Sequence, residues 1–155
     1  MSSAAGTRML TVGLEVHLQL STTTKMFCGC PVAFGGAPNT RICEICTGQP
    51  GSLPSPNAAA IRSGVRLALA VGAEIHTLTR FDRKNYFYAD LPKGYQITQY
   101  AAPYATGGGV PLPADGQVAV LERIHFEEDT GMSRHVEADG DTSLVDLNRA
   151  GVPLL

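Results

Sequence analysis

The chain is poor in charge and has no long apolar run. Only 17% of its 155 residues are Asp, Glu, Lys or Arg, and the formal net charge is −2. That balance excludes a globally basic nucleic-acid binder, so any contact with RNA has to come through a local patch. No apolar stretch approaches the roughly 20 residues that a membrane-spanning helix needs, and the N-terminus has no signal-peptide core. The expected location is cytoplasmic, with no membrane partner. There is no internal repeat and no Walker-type glycine–lysine motif, which excludes a nucleotide site of the P-loop kind. Gly107-Gly-Gly109 is too generic to replace it and reads as part of a turn.

Turn-forming residues are plentiful instead: 17 glycines and 10 prolines. The length fits one domain, or one domain with a small subdomain, and can bury a real core. Residues 1–10 are expected to be disordered. From Thr11 to Leu20 the pattern alternates, with Val12, Leu14, Val16, Leu18 and Leu20 on one face and Gly13, Glu15, His17 and Gln19 on the other. Such a period of two predicts a half-buried strand. Residues 26–54 show no sustained period and are expected to form a loop-built unit. A helix should follow, with Ser55 as its N-cap, Pro56 at its first position and a stripe of Ile61, Val65, Ala68 and Leu69 ending near Gly72. Short strands are predicted at Ile75–Phe81, Asn85–Tyr88, Gln96–Tyr100, Val118–Phe126 and Ser143–Leu147. Turns are predicted at Pro92-Lys-Gly94 and Ala105–Gly109, and Glu137–Asp141 reads as a solvated acidic hairpin tip. One helix among hairpin-connected strands makes the fold class α+β, with an antiparallel or mixed sheet.

All four cysteines fall within nineteen residues: Cys28-Gly-Cys30, a twelve-residue gap, then Cys43-Glu-Ile-Cys46. Two close pairs joined by a loop suit tetrahedral zinc thiolate coordination, each pair supplying two ligands from one tight turn. The alternatives are two disulfides, which a reducing cytoplasm disfavours, or four unrelated buried thiols. A site closed by four thiolates leaves no open position for substrate, so the zinc would be structural.

Glu15 and His17, two apart on a strand, project from one face. Taken by themselves they are a polar surface pair or two ligands for a divalent cation. His125-Phe-Glu-Glu-Asp129 places three adjacent carboxylates at a predicted strand end. These repel unless a cation or several donors neutralise them. They read either as a solvated turn or as a source of hard oxygen ligands for Mg²⁺. Strict alternation from His125 puts Glu127, not Glu128, on its face; a bend or bulge would bring Glu128 round instead.

The run Arg80 to Tyr100 concentrates the remaining chemistry. All five tyrosines lie between Tyr86 and Tyr104, and four of the twelve basic residues lie between Arg80 and Lys93. Cations beside hydroxyl-bearing rings suit a phosphate-rich, flat-ringed partner such as a nucleotide or an RNA end. The same residues also fit an edge strand with a snorkelling basic face.

This run resembles a signature of the GatB family, the B subunits of glutamyl/aspartyl-tRNA amidotransferases. Val12-Gly-Leu-Glu-Val-His17, the cysteine pairs, Gly48-Gln-Pro-Gly51, Arg123–Asp129 and Ser143–Pro153 match as well, in the family's order. The sequence departs from the usual pattern at Glu44 and Thr47, where Pro and Leu are more common, and at Met132, where a lysine is frequent. The resemblance implies that residues 11–155 are the N-terminal part of the family's catalytic domain, that the family's chain continues well past Leu155, and that this part alone is inactive. It implies a catalytic domain similar in fold to glutamine synthetase.

It further implies that Glu15, His17 and Glu128 hold a catalytic Mg²⁺, with Glu127 as the other candidate. Lys84 and Arg83 would meet the phosphates of ATP, and Tyr86 and Tyr88 would border the nucleotide and the aminoacylated tRNA end. The implied reaction converts Glu-tRNA(Gln) or Asp-tRNA(Asn) to the amide by phosphorylating the side-chain carboxylate and displacing phosphate with ammonia. The ammonia would come from the amidase (A) subunit, in a complex that also contains a small (C) subunit. Nothing in this chain resembles the Ser-Lys chemistry of an amidase. Two other readings fit parts of the pattern: a non-catalytic, zinc-stabilised RNA-binding module, and a glutamine-synthetase-like ligase acting on a free amino acid.

Overall fold

The computed structural model describes residues 10–114, 116–136 and 142–155. Most of the N-terminal segment expected to be disordered, and the acidic tip expected at 137–141, lie outside the described residues. Among the described residues one helix, α1 (Ala58–Ala70), accompanies eleven short strands: β1 (Glu74–Ile75), β2 (Asp82–Asn85), β3 (Tyr95–Thr98), β4 (Ala105–Thr106), β5 (Gly109–Pro111), β6 (Val118–Val120), β7 (Arg123–Ile124), β8 (Glu127–Glu128), β9 (Met132–Val136), β10 (Thr142–Asp146) and β11 (Pro153–Leu154). The class is α+β as expected. The strands do not join one sheet, however. They form a β1-β4-β7 sheet and four two-stranded ribbons, β2-β3, β5-β6, β8-β11 and β9-β10, and every pair is antiparallel. No helix among the described residues is long and apolar enough to cross a membrane.

The helix starts two residues later than the Ser-Pro pair suggests. Asn57 is the N-cap: its Oδ1 accepts hydrogen bonds from the N–H groups of Ala59 at 2.8 Å and Ala60 at 3.4 Å. Its Nδ2 donates to the carbonyls of Thr24 at 2.9 Å and Lys25 at 3.2 Å, so one side chain caps the helix and ties it to the start of the cysteine unit. The buried stripe is Ala60, Gly64 and Ala68; of the expected set Ala68 is buried and Val65 half-buried, while Ile61 and Leu69 stay exposed. Small residues win because Tyr104 and Phe126, stacked with ring centroids 4.2 Å apart, press against this face. The Tyr104 hydroxyl donates to the Gly64 carbonyl at 3.0 Å, and a Cβ on Gly64 would stand 2.3 Å from Phe126 Cζ. The core gathers around this contact from Met26, Phe27, Ile97, Ala105, Ile124 and Leu155.

The predicted strands are displaced or interrupted for local reasons. β2 ends where Asn85 pairs with Tyr95, which leaves Tyr86–Tyr88 in the loop that follows; the turn at 92–94 forms as expected. The glycine run 107–109 does not turn a hairpin. It bends one arm of a longer ribbon, whose lower part is β4-β7 and upper part β5-β6, with the N–H of Leu121 donating to the Gly108 carbonyl at 3.0 Å. The largest departure is the alternating segment 11–20. It pairs with the chain only near its end, where Leu18 and Leu155 exchange backbone hydrogen bonds at 2.8 and 3.0 Å. Val12, Leu14 and Val16 are 70%, 87% and 69% exposed. Alternation identifies the two faces of a strand but supplies no neighbour to cover either of them.

Candidate metal and carboxylate sites

The cysteine unit closes as its spacing predicts. The sulfurs of Cys28, Cys30, Cys43 and Cys46 all lie within 4.8 Å of one another, the one such cluster of metal-binding groups among the described residues. Tetrahedral zinc with bonds of about 2.3 Å needs sulfurs about 3.8 Å apart; those of Cys43 and Cys46 are 3.9 Å apart. The donor set and its spacing fit a structural zinc. The four thiols do not titrate alike. The hydrogen bond from Cys28 and the backbone N–H of Cys43 hold Cys46 down at about 4 despite its burial. Cys28 is pushed upward by that same hydrogen bond and by burial. Burial, aided by the bond to Cys43, raises Cys30 to about 11. A cation in the middle would remove this inequality by favouring all four thiolates.

A second cluster forms where the N-terminal segment passes β8. His17 Nε2 lies 3.0 Å from Glu127 Oε1 and 3.8 Å from Glu15 Oε1. His125 Nε2 is 3.6 Å from the other oxygen of Glu127, which also accepts a hydrogen bond from the Thr98 hydroxyl at 3.4 Å. Glu127 is buried, while Glu15 and His17 keep open sides toward solvent. Burial pushes the Glu127 carboxyl up, but the hydrogen bond and charge of His125, with the charges of His17 and Lys84, outweigh it. Its pKa therefore falls below the ordinary value. Glu15 and Glu127 both approach His17 with open solvent beside them, although the three do not close into a cluster as the four cysteines do.

Glu128 is placed differently. β8 pairs with β11 in plain register, Glu127 opposite Leu154 and Glu128 opposite Pro153, without the bulge that would turn Glu128 toward His125. Its Oε1 is held by the Lys93 ammonium in a largely buried ion pair and by the N–H of Ile97 at 3.0 Å. The ion pair of His17 is with Glu127 and Glu15 instead. Asp129, the third acid of the run, is pushed up by burial although Arg149 stands 3.4 Å away.

Strand alternation also separates the two cations of β2. Lys84 lies opposite Gln96 on β3 and shares a face with Thr98, the partner of Glu127. Arg83 lies opposite Ile97, on the other face, with its guanidinium 4.6 Å from the Tyr95 ring centre. Tyr86 is half-buried, and its hydroxyl is pushed up by burial and by the charges of Asp90, Glu127, Glu128 and Asp129, which puts it beside the acidic run. Tyr88 is exposed and meets the Tyr86 ring edge-on at 5.7 Å. Met132, where the resemblance expects a lysine, begins β9 opposite Asp146. Sequence reasoning missed Lys93 and Lys25. Lys93 sits in a Pro-Lys-Gly turn, where lysine is ordinarily solvated. Lys25 precedes the first cysteine pair, and that adjacency was its only signal.

An α+β fold with four cysteines placed so that they could hold a metal ion, and a buried carboxylate flanked by two histidines, is the class that the fold and the geometry define. The chain belongs to the GatB/GatE catalytic domain family, whose model matches residues 10–155. Its relatives include the B subunit of the aspartyl/glutamyl-tRNA(Asn/Gln) amidotransferase of Anaeromyxobacter sp. (strain Fw109-5), 56% identical over 147 residues that cover 93% of this chain and 30% of the relative. The corresponding protein of Thermotoga petrophila is 56% identical over 151 residues, covering 93% of this chain and 31% of the relative. That of Mycobacterium avium is 52% identical over 153 residues, covering 93% and 30%. The chain thus spans about 30% of the length of these curated relatives.

Proposed function

We propose that this chain forms the carboxylate-activating part of the B subunit of a tRNA-dependent amidotransferase, within a catalytic domain akin to that of glutamine synthetase. ATP is the phosphoryl donor, and the acceptor is the side-chain carboxylate of glutamate or aspartate esterified to tRNA(Gln) or tRNA(Asn). A carboxylate does not react with ammonia directly, because oxide is a very poor leaving group. The carboxylate oxygen therefore attacks the γ-phosphorus, forming an O–P bond while the β–γ bridging bond breaks and ADP leaves. Ammonia, released from glutamine by a separate amidase, adds to the acyl carbon; the C–O bond to phosphate breaks and nitrogen gives up a proton. Partners are that amidase (A) subunit, the small (C) subunit and the tRNA.

Each residue's role follows from its place. Glu15, His17 and Glu127 would hold Mg²⁺, which when bound supplies charge neutralisation for ATP and acceptor. Glu128 is committed to Lys93 and the Ile97 N–H, so the metal-facing role goes to Glu127. Lys84, on Glu127's face, offsets charge developing on the transferring phosphoryl group. Arg83, on the opposite face against Tyr95, serves substrate binding instead. Tyr86 and Tyr88 border the entry of the aminoacylated end, with Tyr88 free to stack on a base.

The observation that carries this reading is the 3.0 Å contact between His17 and buried Glu127 on the side of β3 that Lys84 shares. The experiment is ATP binding by the full-length protein with and without Mg²⁺, followed by a choice of acceptor. Mg²⁺-dependent ATP binding with misacylated tRNA as acceptor is expected. Tight tRNA binding without ATP binding would favour an RNA-binding module. Phosphorylation of free glutamate would favour a ligase of free amino acids.

A further inference from the structure

Lys25 is completely buried, and its ammonium has three N–H donors to place. Three acceptors surround it: the Arg41 carbonyl at 2.8 Å, the Leu147 carbonyl at 3.3 Å and Cys46 Sγ at 3.6 Å. No carboxylate among the described residues lies within ion-pair distance of it. A buried ammonium without a counter-charge is costly, so the negative charge it faces has to come from the cysteine cluster. Four thiolates around a divalent ion carry a formal charge of about −2, which one buried cation beside Cys46 halves.

The same lysine touches a second element. Its stem lies under Gly151, where an added Cβ would stand 3.3 Å from Lys25 Cδ and 3.8 Å from Cys46 Cβ, and Gly151 has a φ of +89°. The N–H of Met26, the next residue, donates to the Gly151 carbonyl at 2.7 Å. Gly151 N–H in turn donates to the Asp129 carbonyl, and Asp129 N–H to the Val152 carbonyl, both at 2.8 Å. The loop held by Lys25 is therefore the loop that leads into β11, whose partner β8 carries Glu127 and Glu128.

We propose that Lys25 is the charge-balancing positioning residue of the four-cysteine metal site, and that it makes metal occupancy and the seating of the Leu147–Gly151 loop depend on each other. This rests on reading the cluster as a zinc site. Removal of the ion would leave Lys25 beside four mutually repelling or protonated thiols, with its two carbonyl contacts as the remaining hold. Removal of the ammonium would leave the metal site with uncompensated charge and the Leu147 carbonyl with the Ala150 N–H, at 3.1 Å, as its remaining donor.

The test uses the full chain purified with its metal. Metal content of the unaltered protein comes first: no zinc would defeat the zinc reading and this inference together. Lys25→Met is then compared with Gly64→Ala, a core change against Phe126 and Tyr104, by chelator competition and in the Co²⁺-substituted form. Metal affinity is expected to fall about 10–100-fold in Lys25→Met, as loss of a residue supporting a ligand does elsewhere. The thiolate-to-cobalt absorption band should shift in Lys25→Met and stay in place in Gly64→Ala. A zinc-bearing protein whose Lys25→Met variant keeps both affinity and band would overturn the inference while leaving the zinc reading intact. Amide exchange in the unaltered protein gives a readout independent of the variant's folding. Chelation should speed exchange at Ala150, Gly151 and Val152, and unchanged rates there would overturn the proposed dependence.

Discussion

His17 and Glu127 meet at 3.0 Å, an exposed imidazole from the N-terminal segment against a buried carboxylate of β8. The partners of β8 explain how the contact is held. Thr98 from β3 and His125 fix the other oxygen of Glu127, and the β11 pairing fixes its phase, so the carboxylate presents one free oxygen to whatever the N-terminal segment brings. The neighbouring acid, Glu128, is turned toward Lys93. Two adjacent glutamates thereby take separate tasks.

Because the Lys93–Glu128 pair is buried on both sides, removing one partner leaves an uncompensated charge inside the protein. Lys93→Met should destabilise the fold by about 3–5 kcal/mol. Glu15→Gln, at an exposed position, should cost less than about 0.5 kcal/mol. Denaturant unfolding of the two variants checks this, and equal effects would mean that the pair is hydrated in solution.

The depressed pKa of Glu127 predicts a particular acid response. A carboxyl held below its unfolded value near 4.5 contributes stability that is fully present above that value and is lost as pH falls through the folded value. Burial gives Asp129 the opposite sign, since its raised pKa relieves a penalty on acidification. Glu127→Gln should therefore flatten the loss of stability below about pH 4.5. Unfolding free energies measured from about pH 7 down to about pH 3 decide it; an unchanged acid limb would contradict the assignment.

At the helix, Gly64 is a matter of space. A methyl group there meets Phe126 and Tyr104, so Gly64→Ala should lose about 1–3 kcal/mol from overpacking in spite of alanine's better helix propensity. A stabilised Gly64→Ala protein in thermal denaturation would show that the stacked rings yield.

For the cysteine cluster, the expected metal content is about one zinc per chain. Cys43→Ser should lower the melting temperature, and a chelator should lower that of the unaltered protein in the same way, because thiolate-bound zinc contributes folding energy. A chelator-insensitive melting temperature with all four thiols titratable would remove the metal from the account.

The sequence was most legible where spacing alone carries the chemistry. Two cysteine pairs nineteen residues end to end can close on one ion whatever the rest of the chain does, and they come together here. The α+β class was legible for a similar reason, since one capped helix among glycine- and proline-punctuated strands leaves few alternatives. Tertiary partners were not legible. The stripe on α1 differs from the expected one because nothing in Ala60, Gly64 and Ala68 announces the two rings that press on them. Segment 11–20 has the period of a half-buried strand, yet most of its apolar face finds no cover among the described residues. At β8, plain alternation puts Glu127 on the face of His125, and the two side chains meet there at 3.6 Å. Lys25 and Lys93 escaped notice because a buried lysine is marked only by the acceptors around it, and those come from distant parts of the chain.

Acyl-phosphate formation across a Mg²⁺ titration shows whether Glu127, with Glu15 and His17, faces the proposed Mg²⁺. The assay uses the full-length protein with its partners and misacylated tRNA, comparing Glu127→Gln with Glu128→Gln. Glu127→Gln, like Glu15→Gln, should lose the phosphoryl step by about a hundredfold or more, on the order of the ~3–4 kcal/mol expected for a group that acts on transition-state charge. Part of this loss should be recovered at high Mg²⁺. Glu128→Gln should lose stability more than metal dependence. If Glu128→Gln shifts the Mg²⁺ requirement while Glu127→Gln leaves it unchanged, the metal site has been built around the wrong glutamate.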